Sequence, residues 1–209
     1  DELNPWITST YGTGEMISDA LNRGCRKFLV GIGGSATNDA GTGMLSALGV
    51  RFLDSRGQRL KGCGRDLESI ARIDMSSLMP AARESEFIVA CDVNTPFCGP
   101  DGAARVFAPQ KGANPQTTEA LDRGMRSFAQ VIAGQFQTDI VPLSGAGAAG
   151  GLGGAFKAFL NARLTAGIEM VLDAIAFDSL LEGADLVITG EGRIDAQTAA
   201  GKTAAGVLR

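Results

Sequence analysis

Residues 28–44 read FLVGIGGSATNDAGTGM, a short apolar run followed by a segment rich in glycine. The apolar run 28–30 indicates a strand that stops at a cluster of glycines, and a helix is predicted to open near Asn38 and Asp39. Glycines allow backbone N–H groups to approach a ligand closely, and the N-terminus of a helix favours negative charge. The stretch therefore predicts a site for a phosphate or a carboxylate. A tight turn that binds nothing is the alternative.

The composition favours a soluble, cytoplasmic protein that acts on small molecules. The 209 residues include 19 basic and 23 acidic side chains, a net charge of −4, and no basic patch that would suit nucleic acid. No apolar run reaches the ~18–20 residues of a membrane span, and the start of the chain lacks the pattern of a secretory signal. The 29 glycines are clustered and about twice as frequent as the usual ~7%, which is typical of ligand-handling loops.

Histidine is absent, which limits the chemistry open to the chain. Its absence argues against a zinc site and against a Ser-His or Cys-His nucleophile, so carboxylates, lysine, tyrosine or water must move protons. The four cysteines form no CxxC pair and are expected to be reduced, with Cys91 an ordinary core residue.

Strand and helix patterns alternate, which predicts an α/β fold with a mixed or mostly parallel sheet and glycine-rich strand-to-helix loops. Strands are predicted at 27–32, 87–91, 139–143 and 185–189, with a hairpin at 50–60. Helices are predicted at about 15–23, 39–48, 115–133, from the second glycine loop to 160, and at 168–175. Asn114 as the N-cap and Pro115 in the first turn mark the start of the longest helix.

Two motif matches suggest other functions. The dinucleotide pattern G-x-G-x-x-G/A occurs at 31–36 and at 145–150, and Asp54 lies about 20 residues after the first match. An NAD-binding oxidoreductase domain is therefore one alternative. The run Gly201-Lys202-Thr203 resembles the end of a P-loop, but Ala196 stands where the leading glycine is needed, so that motif fails.

Acidic residues recur at or just after predicted strand ends, where α/β proteins bind ligands. They are Asp39, Asp92, Glu191 and Asp195. Carboxylates in such positions suit Mg²⁺, a hard cation that prefers oxygen ligands, or a base for a substrate hydroxyl. Arg193 adds a guanidinium that can bind an anion. For any one of these acids, a structural role as an N-cap or in a turn is the alternative, but the group as a whole favours a function.

Four longer runs stand out in the sequence: GIGGSATNDAGTGM (31–44), ACDVNTPFCGPDGAARVFAPQKGA (90–113), GAGAAGGLGGAF (145–156) and ADLVITGEGRIDAQTAAGK (184–202). In this order they resemble those of the bacterial glycerate kinases of glucarate, galactarate and glyoxylate metabolism. The resemblance implies transfer of a phosphoryl group from ATP, with Mg²⁺, to D-glycerate. The implied product is 2-phosphoglycerate, with 3-phosphoglycerate as the alternative.

The family's architecture implies two α/β domains, one flavodoxin-like and one inserted within it, with the active site between them. The chain resembles the middle of such a protein: residues 1–183 match the inserted, substrate-side domain, and 184–209 begin the return to the other. Ala200 stands where the family usually carries histidine. Little or no activity is therefore expected of the isolated chain, and a non-catalytic domain is the second alternative. A homodimer is one option for its assembly.

On the basis of this reaction and of the positions of the side chains, we hypothesise roles for individual residues. The glycerate carboxylate or a phosphate would be held by the start of the predicted helix together with Gly33, Gly34, Ser35, Asn38 and Asp39. Either Asp195 or Asp92 would orient or deprotonate the substrate hydroxyl, and Glu191 would help to hold Mg²⁺. Phosphate charge would be neutralised by Lys111, Arg193 and Lys202.

Overall fold

The computed structural model describes residues 3–190 and 206–207. The helices are α1 (Tyr11–Asn22), α2 (Thr42–Ala47), α3 (Pro80–Arg83), α4 (Ala103–Phe107), α5 (Pro115–Phe136), α6 (Ala148–Leu160), α7 (Gly167–Ala174) and α8 (Phe177–Leu181). The strands are β1 (Lys27–Gly31), β2 (Arg51–Leu53), β3 (Arg72–Asp74), β4 (Glu86–Ala90) and β5 (Arg163–Thr165). Two 3₁₀ helices, Gly64–Ser69 and Pro109–Lys111, complete the elements.

A three-stranded parallel sheet positions the site, which confirms the predicted α/β class. Its order is β1-β4-β5, with β4 in the centre. Ala90, at the end of β4, pairs with Gly31 of β1 on one side and with Thr165 of β5 on the other. All three strands therefore end at the same edge, where α/β sheets commonly bind ligands.

The region predicted as a hairpin belongs to a second, smaller sheet. Strand β2 pairs antiparallel with β3, and the predicted hairpin partner contributes one isolated bridge between Leu53 and Arg59. The carboxylate of Asp54 accepts hydrogen bonds from the amides of Arg56 (2.9 Å) and Gln58 (2.8 Å) in this loop. A dinucleotide site would need this acid beside β1, but β1 pairs with β4. The structure therefore does not support the NAD reading of Asp54.

Helix α5 confirms the sequence signal at its start. The Asn114 side chain accepts a 2.8 Å hydrogen bond from the amide of Thr117. The apolar positions of this helix at 121, 125, 128 and 132 are all fully buried. The predicted stop at Gly134 is wrong, because the helix runs two residues further and ends where Gln137 turns left-handed (φ +53°). A glycine costs ~1 kcal/mol within a helix, which packing of the opposite face outweighs.

The structure also differs from the predicted elements at one helix start and in two predicted strands. Helix α1 starts at Tyr11, earlier than predicted, and leaves Met16 69% exposed. The predicted strand at 139–143 is irregular, with Ile140 buried in the core. The predicted strand at 185–189 is irregular too, and Ile188 is 87% exposed. A strand forms only when a neighbour pairs with its backbone, and neither segment has one among the described residues.

Candidate functional site

A cavity of about 260 Å³ lies at the sheet edge where β1 and β4 end. Five residues predicted for the site line it: Gly33, Gly34, Ser35, Asp92 and Lys111. They come from three separate parts of the sequence, so the fold brings together what the sequence leaves apart.

The turn after β1 forms one wall of the cavity. Gly34 has a left-handed backbone (φ +68°), which glycine adopts without the strain that a side chain would bring. The amide N–H groups of Gly33 and Gly34 form no hydrogen bond with any described residue. Two backbone donors beside an open cavity suit an anionic oxygen, as the sequence predicts.

Lys111 lies behind this turn and is 4% exposed. Its ammonium group donates hydrogen bonds of 2.7 Å to the Ser35 hydroxyl and 2.7 Å to the Thr37 carbonyl. Burial lowers the pKa of Lys111 to about 8, and the negative charge of Asp39 partly opposes that shift. The sequence predicted that Lys111 binds a phosphate directly. In the structure its ammonium group makes two hydrogen bonds to the protein itself.

Asp92 also lines the cavity and lies two residues after the end of β4. Its Oδ1 accepts a 2.7 Å hydrogen bond from the amide of Gly167, the first residue of α7. Its other oxygen has no hydrogen-bond partner within the described residues. One carboxylate oxygen is therefore anchored, and one remains for a ligand or a cation.

The second glycine loop packs directly against the first. Residues 149–151 all have left-handed backbones, and the Gly150 carbonyl accepts a 2.9 Å hydrogen bond from the amide of Ala40. A Cβ on Gly150 would collide with the Thr37 carbonyl, so only glycine permits this approach. Ala149 reaches the cavity wall. The two glycine motifs thus form one structure, not two competing dinucleotide sites.

Asn38 and Asp39 do not reach the cavity, contrary to the prediction. Both are fully buried. The Asn38 amide nitrogen lies 3.3 Å from the Met125 sulfur, and its carbonyl oxygen has no partner among the described residues.

The predicted anion site at the start of the helix is also wrong, because the protein fills it with its own carboxylate. Helix α2 begins at Thr42, three residues later than predicted. Asp39 accepts hydrogen bonds from the amides of Gly41 (3.1 Å) and Gly43 (3.2 Å). The amide of Met44 is bonded to the Thr10 hydroxyl at 2.9 Å. The anion-binding wall therefore lies in the turn before this segment.

Several cavity residues have no strong signal in the sequence. Cys91 lines the cavity and is partly exposed, so the expectation of an ordinary core cysteine is wrong. Val93 and Phe107 add apolar surface. A second cavity of about 190 Å³ shares Gly33 and Ser35 with the first. Its lining includes four hydroxyl side chains that were not predicted for the site: Ser9, Thr10, Thr13 and Thr37.

Four predicted site residues lie outside the described part of the chain: Glu191, Arg193, Asp195 and Lys202. Within residues 3–190 and 206–207, no three acidic, cysteine or histidine side chains gather into a metal-binding group. No helix in the same ranges is long and apolar enough to cross a bilayer.

Comparison with known proteins links this geometry to one family. A sequence model described as the glycerate kinase family matches residues 1–209. A glycerate kinase of Halalkalibacterium halodurans is 48% identical over 209 residues, and a glycerate 2-kinase of Escherichia coli K12 is 44% identical over 207. The chain spans about half the length of these relatives, 55% and 54%.

A solved structure agrees with the sequence comparison. A crystal structure assigned as a glycerate kinase 2 from Salmonella typhimurium LT2 superimposes with a TM-score of 0.91 at 48% identity. The match covers 99% of this chain and 55% of that one. The chain therefore belongs to the glycerate kinase family.

Proposed function

We propose that this chain forms the D-glycerate site of a glycerate kinase, which transfers the terminal phosphoryl group of ATP to the 2-hydroxyl and yields 2-phosphoglycerate and ADP. The observation that carries the proposal is the cavity itself. It is lined both by hydrogen-bond donors, namely the unbonded amides of Gly33 and Gly34 and the hydroxyl of Ser35, and by the carboxylate of Asp92. Family membership supplies the reaction type.

The groups that line the cavity suit the two ends of a hydroxy acid. A carboxylate or phosphoryl oxygen is stabilised by N–H and O–H donors, which the turn after β1 supplies. The partner-free oxygen of Asp92 can accept the proton of a hydroxyl. Phosphoryl transfer depends chiefly on positioning and charge stabilisation, which a cavity with both donors and a carboxylate can provide.

The same Asp92 oxygen would instead be available to Mg²⁺ if Asp195 is the base. The ion is typically bound by one or two carboxylates together with substrate phosphates, and Asp92 would offer its one available oxygen. Glu191 would be the other ligand of the ion. When bound, the ion would neutralise phosphate charge. Arg193 and Lys202 as phosphate-binding cations, and Asp195 as the alternative to Asp92 as base, belong to the same proposal.

The domain assignment is part of the proposal as well. Residues 1–183 would form the inserted, substrate-side domain, and 184–209 would lead back to a flavodoxin-like domain. In that arrangement the cavity wall described here faces the ATP-binding partner domain.

The test uses binding first, because binding does not require a complete kinase. Titration of the ¹⁵N-labelled chain with D-glycerate should shift the amide resonances of Gly33, Gly34 and Ser35, and D-lactate, which has the same configuration but lacks the 3-hydroxyl, should shift them less. With MgATP added, ³¹P NMR identifies any product as 2- or 3-phosphoglycerate. Absence of D-glycerate binding at millimolar concentration would contradict the proposal, and shifts with NADH alone would favour the oxidoreductase alternative.

A further inference from the structure

The bond between Lys111 and Ser35 fixes the direction of a hydroxyl proton. An ammonium group has only donors, so the Ser35 oxygen must accept the 2.7 Å hydrogen bond from Lys111. A serine hydroxyl also has one donor hydrogen, and no described residue accepts it. The proton of Ser35 is therefore available to a ligand in the cavity that Ser35 lines.

The second bond of Lys111 holds the turn that carries the other donors. It runs 2.7 Å to the carbonyl of Thr37, which lies just beyond the Gly33–Gly34 turn. Gly150, in the second glycine loop, packs so closely against the same carbonyl that a Cβ would not fit there. The buried ammonium group of Lys111 therefore hydrogen-bonds both to Ser35, which supplies the side-chain donor, and to the backbone of the segment that supplies the amide donors.

We propose that Lys111 is a positioning residue: its ammonium holds the Ser35 hydroxyl so that the hydroxyl donates its proton to the anionic group bound against Gly33 and Gly34. The proposal rests on the proposed function only in taking that anion to be the D-glycerate carboxylate or a phosphoryl group. It differs from direct charge neutralisation because Lys111 acts through Ser35.

Deprotonation of Lys111 should reverse the direction of its hydrogen bond with Ser35. A neutral amine has a lone pair and can accept the Ser35 proton, which then turns away from the ligand. The charge that acts on Lys111 is the buried carboxylate of Asp39, and Asp92 lines the same cavity. Arg105 on α4 is paired with Glu119, and burial raises the pKa of Cys91, so that thiol stays neutral. With the pKa of Lys111 at about 8, anion binding should decline as pH rises through that value.

The experiment is a double-mutant cycle read by calorimetry, with D-glycerate and inorganic phosphate as separate probes. Ser35→Ala and Lys111→Gln should each weaken binding by about ten-fold, the usual effect of one hydrogen bond to a charged group. Because Lys111 acts through Ser35, the double variant should be little weaker than either single one. Lys111→Arg should restore part of the affinity, and Lys157→Gln on the exposed face of α6 is the matched control.

The pH profile provides a test that leaves Lys111 intact. Wild-type affinity should fall between pH 7 and 9, and in Ser35→Ala this fall should disappear. Additive losses in the double variant, or an unchanged pH profile in Ser35→Ala, would overturn the positioning role and leave Lys111 as an ordinary anion-binding cation. Binding of phosphate without D-glycerate would count against the proposed function alone, while the cycle with phosphate still decides the role of Lys111. Binding of neither probe would overturn both.

Discussion

The carboxylate of Asp39 binds Thr10 twice, accepting hydrogen bonds from its amide at 2.7 Å and from its hydroxyl at 2.8 Å. The pair joins the residue before α1 to the loop before α2, 29 positions along the chain, and both side chains are buried. Burial raises the pKa of Asp39, and the hydrogen bonds from Thr10 oppose the shift. Asp39 therefore has a structural role: it holds these two segments of the chain together.

Asp39→Asn should therefore destabilise the fold. An asparagine amide would place an NH₂ group against N–H donors, leaving buried donors without an acceptor. We expect a loss of about 3 kcal/mol in the free energy of unfolding, measured by urea denaturation. Asp101→Asn, at an exposed loop carboxylate without a partner among the described residues, is the control. Equal stability of the two variants would show that the Asp39 network is not needed.

Gly150→Ala should disrupt the packing contact between the two glycine loops. The residue has φ +68°, and a Cβ there would meet the Thr37 carbonyl. Backbone strain and the collision together should cost more than ~2 kcal/mol and weaken anion binding. Gly12→Ala provides the contrast, because Gly12 lies within α1 with no atom within 4 Å of an added Cβ. That change should stabilise slightly, by ~0.5–1 kcal/mol. Thermal unfolding compares the two.

Asn114→Ala should remove the cap of α5. The lost hydrogen bond to the Thr117 amide should lower the free energy of unfolding by about 1 kcal/mol. Asn114→Asp keeps an acceptor at the N-cap and should be nearly neutral. If both variants unfold at the same urea concentration, the capping bond contributes nothing.

Lys111 should make the free energy of unfolding depend on pH. Its folded pKa of about 8 lies below the ordinary value of 10.5, so between these values the unfolded chain binds more protons than the folded one. Stability from this group therefore rises with pH in that window, by at most ~3 kcal/mol and less after solvent screening. The difference in unfolding free energy between wild type and Lys111→Gln, measured at pH 7 to 10, should grow in favour of wild type. A flat difference would refute the lowered pKa.

Asp92→Asn should separate ligand chemistry from structure. Asparagine keeps an oxygen for the Gly167 amide but loses the negative charge at the cavity. We expect binding of Mg²⁺ to weaken by about ten-fold or more, with stability changed by less than ~1 kcal/mol. Calorimetric titration of wild type and of the variant with MgCl₂ measures the effect. Equal affinity of the two proteins for Mg²⁺ would argue against a metal at Asp92.

Local patterns predicted those elements whose stability is decided nearby in sequence. Asn114 and Pro115 specified the start of α5, because a cap bond and a fixed φ act within one turn. The apolar run after residue 27 and the following glycines specified β1 and its turn. By contrast, the segment 185–189 has the composition of a strand but not its structure, since pairing depends on a partner that local sequence does not supply.

The sequence by itself determined the class of fold, the glycine turn after β1, and the family, because long ordered motifs and local propensities are properties of the chain. Only the tertiary structure decided which residues face the cavity. Asn38 and Asp39 share the motif of Gly33 and Ser35, yet they are buried, because Asp39 bonds to Thr10 across 29 residues. Lys111 reaches Ser35 from 76 positions away. Contacts of that range follow from how the elements pack, which no local pattern encodes.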